Sequence, residues 1–177
     1  MVDDHYRSIV KIFSPKPHFM LDNSRFIVYN EYGWKANRNR KKDLTMTYYF
    51  DMDGVLVNFH REVYSYANAI NREWIANLLP FMGNVEVVRN LVAHGHKVYI
   101  LTKAASEDAK QGKIDWLNKY LPEVLNDFIC IVGNGKKVDY IRESGMLVDD
   151  DPKNLRPWEK AGHAVLLVEH KGQTVFL

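Results

Sequence analysis

The alternation of strand-length and helix-length apolar segments after Met46 constrains the fold more than any other feature of the sequence. The stretches of helical length carry apolar residues at spacings of three and four, as Val85, Val88 and Leu91 do. Strands that alternate with helices predict a parallel sheet covered on both faces, so we expect an α/β protein. The strand-length segments are short, rich in β-branched or aromatic residues and bounded by turn formers: residues 47–50, 97–102, 128–133, 145–150 and 164–170.

The predicted helices end at recognisable signals. Apolar stripes over residues 63–78 and 114–121 both stop just before a proline. Residues 152–162 predict a short helix that a proline opens and a glycine closes. Asp151 precedes this helix and is expected to cap its first turn, because aspartate is favoured at that position.

Length and composition indicate an ordinary globular chain. Its 177 residues suffice for one well-buried domain, and the apolar fraction of 46% and net charge of +2 argue for neither a membrane nor a nucleic-acid partner. A single cysteine, Cys130, excludes an internal disulfide and fits a reducing compartment. No run reaches the roughly 18 apolar residues of a membrane span, and no signal-peptide pattern opens the chain. We therefore expect a cytoplasmic protein.

The first 45 residues differ from the rest. Five of the eight residues from Lys35 to Lys42 are basic, a run that favours a solvated linker over a nucleic-acid contact. We predict an N-terminal extension over residues 1–45 and a catalytic domain over residues 46–177. A start of translation at Met46 is the alternative interpretation of this boundary.

Acidic side chains follow two of the predicted strands. Asp51 and Asp53 come directly after the first strand, Thr102 ends the second, and residues 149–151, all aspartates, end the fourth. Because the carboxyl ends of parallel strands meet at one edge of the sheet, we expect these groups to share a cleft. Several carboxylates in one cleft repel each other unless a cation lies among them.

The chemistry of these side chains points to a hard cation. No histidine or cysteine has metal-ligand spacing, and an all-oxygen set favours Mg2+ over Ca2+ because few carboxylates are present and Mg2+ keeps several waters. A magnesium site beside Thr102 and nearby lysines would suit a phosphoryl group.

Four segments carry a resemblance to a known family. "DMDGVLVNF", "ILT", "KKVDYI" and "MLVDDDP" resemble, in order, the four motifs of the haloacid dehalogenase (HAD) superfamily of phosphotransferases, over about residues 46–170. Within it, Trp74–Gly83 and Lys113–Leu121 make the chain most similar to the 5'(3')-deoxyribonucleotidases, the cytosolic type C 5'-nucleotidases. The resemblance implies a HAD-like Rossmannoid three-layer parallel sheet, with a small helical cap after the first strand at about residues 58–84.

The resemblance also implies a reaction. The expected activity is Mg2+-dependent hydrolysis of (deoxy)nucleoside monophosphates through an aspartyl-phosphate intermediate. Asp51 would be the nucleophile and Asp53 the general acid and then the base. The metal would be held by the Asp51 carboxylate, the Asp53 backbone carbonyl and Asp149, with Asp150 supporting. A carboxylate is ionised at neutral pH and needs no base to attack, whereas the leaving alkoxide needs a proton.

The same resemblance implies phosphate and base contacts. Thr102, with the amides of Lys103 and Ala104, would hold the phosphate oxygens. A lysine of the "KK" pair would neutralise the phosphate, and Lys137 is preferred to Lys136 because "KVDYI" aligns best with the family pattern.

Aromatic residues are expected to meet the nucleobase. Phe59 would stack on the base and Trp74 would line its pocket, although Trp74 also continues a helical stripe, so core packing competes with this role. Lys113 is read as structural, because it lies at helical spacing with Trp116 and Leu117. The predicted cap is shorter than the helical bundle of the family, so the cleft would be more open and nucleotide selectivity looser.

Two alternatives remain open. The chain could hydrolyse another small phosphomonoester, such as a sugar phosphate. It could also act at nucleic-acid ends, using the basic run over residues 35–42, although the sequence favours a small-molecule substrate over nucleic acid. The sequence indicates neither the oligomeric state nor the choice between 5' and 3' phosphates.

Overall fold

The computed structural model describes residues 9–12, 18–22, 25–29, 45–59 and 70–169. The strands are β1 (Ile9–Ile12), β2 (His18–Asp22), β3 (Arg25–Tyr29), β4 (Thr47–Phe50), β5 (Lys97–Ala104), β6 (Phe128–Val132), β7 (Met146–Asp149) and β8 (Val165–Glu169). The α-helices are α1 (Arg72–Ala76), α2 (Met82–Ala93), α3 (Glu107–Tyr120) and α4 (Pro152–Lys160). In the described part of the chain, the 3-10 helices Pro122–Asp127 and Lys137–Tyr140 precede β6 and β7.

The main sheet has the strand order β1-β8-β7-β4-β5-β6. Strands β4 to β8 are mutually parallel, while β1 pairs antiparallel with β8. Strands β2 and β3 form a separate antiparallel pair. All five predicted strands are present as β4 to β8, so the predicted α/β class with a parallel sheet is confirmed. Strand β1, within the predicted extension, adds a sixth strand beside β8.

Both faces of the sheet are buried. Successive side chains of a strand point to opposite faces, so neighbouring residues of one strand enter different cores. Tyr48 and Phe50 of β4 enter a core that includes α2 and α3, where Trp116 is fully buried. Tyr49 enters the opposite core, against Trp158 of α4. This burial on both faces is why the central strands read as nearly uninterrupted apolar runs.

Three of the predicted helices are present as α2, α3 and α4. The predicted stripe over residues 63–78 is wrong as one continuous helix, because Asn71 is extended and α1 covers only Arg72–Ala76. Helix α2 buries Val85, Val88 and Leu91, as their spacing predicts. Asp151 caps α4, accepting a hydrogen bond from the Lys153 amide at 2.9 Å, so the predicted cap is confirmed. Among the described residues, no helix is both long and apolar enough to cross a bilayer.

The predicted cap is described in part. Residues 60–69, including the start of the 63–78 stripe, lie outside the described residues, as does the basic run over residues 35–42. After α1, the Leu78 carbonyl accepts a hydrogen bond from the Trp116 indole at 2.9 Å, and the Leu79 carbonyl accepts one from the Asn58 amide at 3.0 Å. The described part of this segment is therefore tied both to α3 and to the loop after β4.

Candidate active site

The loop after β4 brings Asp51 and Asp53 to the carboxyl edge of the sheet. The Asp51 amide donates to the Val148 carbonyl of β7 at 2.9 Å, which continues the ladder by one residue. The chain then turns at Gly54, whose φ of 74° is a left-handed conformation that favours glycine. A Cβ at this position would lie 2.2 Å from Oδ2 of Asp150, so a larger residue would displace the Asp150 carboxylate.

Lys137 joins the two acidic segments. Its side chain is 1% exposed, and its ammonium lies 2.8 Å from Oδ1 of Asp51 and 2.7 Å from Oδ2 of Asp149. Burial lowers the pKa of Lys137, but the two carboxylates outweigh it and the net pKa is raised. Lys136 is exposed. Of the two lysines considered from the sequence, the structure brings Lys137 to the acidic groups.

Asp149 is held in place by the start of α4. Its Oδ1 accepts hydrogen bonds from the Asp151 amide at 2.9 Å and from the Asn154 side chain at 3.1 Å. Its side chain has no exposed surface. Burial, followed by the charge of Asp51, raises the pKa of Asp149 to about 6, although Lys137 opposes the shift. A buried carboxylate with a raised pKa is stabilised by any further cation that binds beside it.

Asp51, Asp149 and Asp150 form a set that could hold a metal ion. Each offers one carboxylate oxygen, and these oxygens lie within 4.8 Å of one another. Opposite ligands of a Mg2+ ion are about 4.2 Å apart, since each bond is about 2.1 Å long, so the set is close to the required spacing. The donors are all oxygen, which a hard cation prefers. The residues present therefore fit Mg2+.

Asp53 is held from the other side by Lys113 of α3. The Lys113 ammonium donates to Oδ2 of Asp53 at 2.6 Å and to Oγ1 of Thr102 at 2.9 Å. Within the described residues, Oδ1 of Asp53 is buried and has no hydrogen-bond partner. Burial is the largest influence on the pKa of Asp53 and raises it; Lys113 lowers it, the charge of Asp51 raises it, and the net pKa is raised.

The structural role read for Lys113 from the sequence is incomplete. Its side chain is 2% exposed and lies on the buried stripe of α3 with Trp116 and Leu117, as that reading expects. Its ammonium nevertheless reaches Asp53 and Thr102 at the edge of the sheet. The available signal was a lysine in an apolar stripe, since a buried ammonium requires a partner.

Thr102 is buried within β5, which runs two residues further than predicted. Lys103 and Ala104 remain in register with β6, opposite Ile131 and Val132. Thr102 therefore lies inside the strand rather than at its end. The phosphate contacts expected of Thr102 and of the two following amides remain predictions.

Phe59 and Trp74 lie next to each other. Their ring centroids are 5.4 Å apart with the rings nearly perpendicular, and both side chains are half-buried against the main core. The structure thus brings the two predicted base-contacting residues together. Their partial burial is compatible with the core packing that was weighed for Trp74, and their contact with a base remains a prediction.

The parallel sheet and the acidic groups at its carboxyl edge define the class, a HAD-like α/β protein. The chain belongs to the family described as "5' nucleotidase, deoxy (Pyrimidine), cytosolic type C protein", whose family model matches residues 60–172. This match confirms the predicted family and the predicted HAD-like fold. The family is one of nucleotidases, which are phosphoric monoester hydrolases. The matched range begins after the segment that contains Asp51 and Asp53.

One solved structure is similar in fold. The chain matches "Structure of Pnkp1/Rnl/Hen1 complex" with a TM-score of 0.50 and 14% identity over 84% of its length. The chain spans 55% of the length of that protein chain. At this identity, the likeness supports the fold alone. Comparison with curated proteins gave no match.

Proposed function

We propose that this protein is a Mg2+-dependent phosphatase that hydrolyses (deoxy)nucleoside monophosphates through an aspartyl-phosphate on Asp51. The observation that carries the proposal is the pairing of two differently held carboxylates at one edge of the sheet. Asp51 is bound by the Lys137 ammonium at 2.8 Å, while Asp53 is held through Oδ2 and keeps Oδ1 unpartnered among the described residues. One carboxylate is thus suited to attack and the other to move a proton.

The first half of the reaction transfers the phosphoryl group to Asp51. Oδ1 of Asp51 accepts a hydrogen bond from the Met52 amide at 2.7 Å and forms an ion pair with the Lys137 ammonium. We therefore assign the attack on phosphorus to Oδ2. The bond from phosphorus to the leaving oxygen breaks, and the proton of Asp53 passes to that oxygen. Burial raises the pKa of Asp53, which favours the protonated form that a general acid needs.

The second half releases phosphate and restores both residues. The Asp53 carboxylate takes a proton from a water molecule, whose oxygen attacks the phosphorus atom. The bond between phosphorus and Asp51 breaks, inorganic phosphate leaves, and Asp51 is again a carboxylate. Lys137 supports both halves, since a cation beside the nucleophile offsets its repulsion from the phosphate.

Asp51, Asp149 and Asp150 would hold the metal, together with the Asp53 backbone carbonyl. Mg2+, when bound, neutralises charge on the phosphate and on the developing transition state. Thr102 and the amides of Lys103 and Ala104 would bind phosphate oxygens.

The nucleotide substrate is supported by the family and by two aromatic side chains. The family description names deoxy and pyrimidine 5' nucleotidases, so we propose a (deoxy)nucleotide for this chain also. Phe59 and Trp74 offer adjacent half-buried rings on which a base could stack. The word cytosolic in the same description supports a cytoplasmic location.

The test is a phosphate-release screen over nucleoside 5'- and 3'-monophosphates, their deoxy forms and sugar phosphates, with Mg2+ or with EDTA. We expect release from nucleotides that requires Mg2+ and falls at least about a thousandfold in Asp51→Asn. Asp127→Asn is the matched control, because Asp127 forms an exposed ion pair with Lys97 at the opposite end of the sheet.

Three results would contradict the proposal. Activity retained in Asp51→Asn would exclude the covalent step. Turnover of sugar phosphates alone would exclude the nucleotide substrate. Full activity in EDTA would exclude the metal requirement.

A further inference from the structure

Among the described residues, Lys113 is the most deeply buried charged side chain that the proposed reaction does not yet use. Its side chain is 2% exposed, and it reaches the site from α3, 60 positions along the chain from Asp53. Burying an ammonium is costly unless hydrogen bonds and an opposite charge compensate, and Asp53 and Thr102 supply both. A site for packing alone would be filled at lower cost by an apolar side chain.

The contact between Lys113 and Asp53 makes the two carboxylate oxygens of Asp53 different. Lys113 binds Oδ2 at 2.6 Å, a short charge-assisted hydrogen bond that fixes the plane of the carboxylate. Among the described residues, Oδ1 has no partner although it is buried. The Asp53 side chain as a whole is 22% exposed, so it borders the cleft rather than the core. Because Oδ1 forms no hydrogen bond among the described residues, whereas Oδ2 is held by Lys113, Oδ1 is better suited than Oδ2 to exchange a proton.

Lys113 also fixes the hydroxyl of Thr102. Oγ1 of Thr102 accepts from the ammonium at 2.9 Å, so its own hydrogen must point elsewhere. One ammonium thus joins the loop after β4 to the centre of β5. A shift of α3 would move both groups.

We propose that Lys113 is a positioning residue that orients Asp53, so that its free oxygen meets the leaving oxygen of the substrate. This inference rests on the proposed phosphatase function. Lys113 holds Oδ2 of Asp53 throughout both halves of the reaction, and the proton moves through Oδ1. Loss of Lys113 lets the carboxylate rotate and weakens proton delivery, while the attack by Asp51 is retained.

Substrates with different leaving groups distinguish a positioning role of Lys113 from a purely structural one. A nucleoside alkoxide needs a proton to depart, whereas 4-nitrophenolate departs readily without one. The ratio kcat/KM for 4-nitrophenyl phosphate divided by kcat/KM for a deoxynucleoside 5'-monophosphate measures this need. Each kcat/KM value reports the steps up to departure of the leaving group, so the later hydrolysis of the aspartyl-phosphate does not affect the ratio.

The experiment compares wild type, Lys113→Met, Lys113→Arg and a control on the same helix, Lys119→Met. Lys119 is exposed and lies over the Tyr120 ring. We expect kcat/KM for the nucleotide to fall about a hundredfold in Lys113→Met and the ratio to rise at least about tenfold. Lys113→Arg keeps the charge and should raise the ratio less, and it serves as the test if Lys113→Met does not fold. Lys119→Met should match wild type.

The outcomes distinguish this inference from the function on which it rests. Equal losses on both substrates, with the ratio unchanged in the folded Lys113 variants, would overturn the positioning role alone. Such a result would assign Lys113 to phosphate binding or packing. A wild-type protein that hydrolyses neither substrate would overturn the proposed function and this inference with it.

Discussion

Replacing Asp149 by asparagine should change how the stability of the metal-free protein depends on pH. Burial and the charge of Asp51 raise the pKa of Asp149 from 3.8 to about 6. Between these values the folded protein binds a proton that the unfolded chain does not. Stability therefore rises as pH falls through this window, and it falls as pH rises from about 4 to above 6. Asparagine has no such proton to bind.

The expected size follows from the two pKa values. A gap from 3.8 to about 6, at about 1.4 kcal/mol per pKa unit, corresponds to about 3 kcal/mol in total. The interval from pH 4 to pH 7 covers the greater part of this change in the free energy of unfolding. Wild type should thus lose about 2 to 3 kcal/mol relative to Asp149→Asn over that interval.

The assay is urea denaturation in EDTA at several pH values from 4 to 7, for wild type, Asp149→Asn and the surface control Asp127→Asn. The free energy of unfolding of wild type minus that of Asp149→Asn should fall by about 2 to 3 kcal/mol from pH 4 to pH 7, and the control should follow wild type. Adding Mg2+ at pH 7 should stabilise wild type more than Asp149→Asn, because the ion binds the ionised carboxylate. A difference that stays flat from pH 4 to 7 would refute the reasoning.

Three further substitutions test local features. Tyr49→Phe removes hydrogen bonds between the buried phenol and the backbone of residues 142 and 143, and should cost about 1 to 3 kcal/mol in urea denaturation; no loss would contradict their importance. Asp151→Ala should cost about 1 kcal/mol by the same measurement, while Asp151→Asn should keep the cap. Gly54→Ala places a Cβ 2.2 Å from Oδ2 of Asp150, so phosphatase kcat/KM should fall at least about tenfold; unchanged activity would show that the loop adapts.

The sheet was predictable because its strands are buried on both faces. Double burial makes each central strand a compact apolar run between turn formers, which the sequence displays directly. The end of β5 was less predictable. Its last residues, Lys103 and Ala104, remain strand because β6 continues alongside them, and that pairing depends on tertiary structure.

The carboxyl-edge rule predicts where Asp51, Asp53 and Asp149 gather, because all three follow parallel strands. It could not assign Lys113, since a helix brings that side chain to the edge from the buried side. The choice of Lys137 depended on a family resemblance rather than on spacing. Helix α3 brings Lys113 to Asp53, and the 3-10 helix before β7 brings Lys137 to Asp51 and Asp149, so the pairing of lysines with carboxylates depends on tertiary structure.

Trapping the covalent intermediate tests the central claim most directly. The variant Asp53→Asn should accept phosphate from 32P-labelled 4-nitrophenyl phosphate with Mg2+, because this leaving group needs no proton. It should then hydrolyse the intermediate slowly, because it lacks the base. We predict close to one label per protein, labile to hydroxylamine and carried by the peptide that contains Asp51, with none in Asp51→Asn. Release of 4-nitrophenol with no label on the protein, or label on a different residue, would contradict the account.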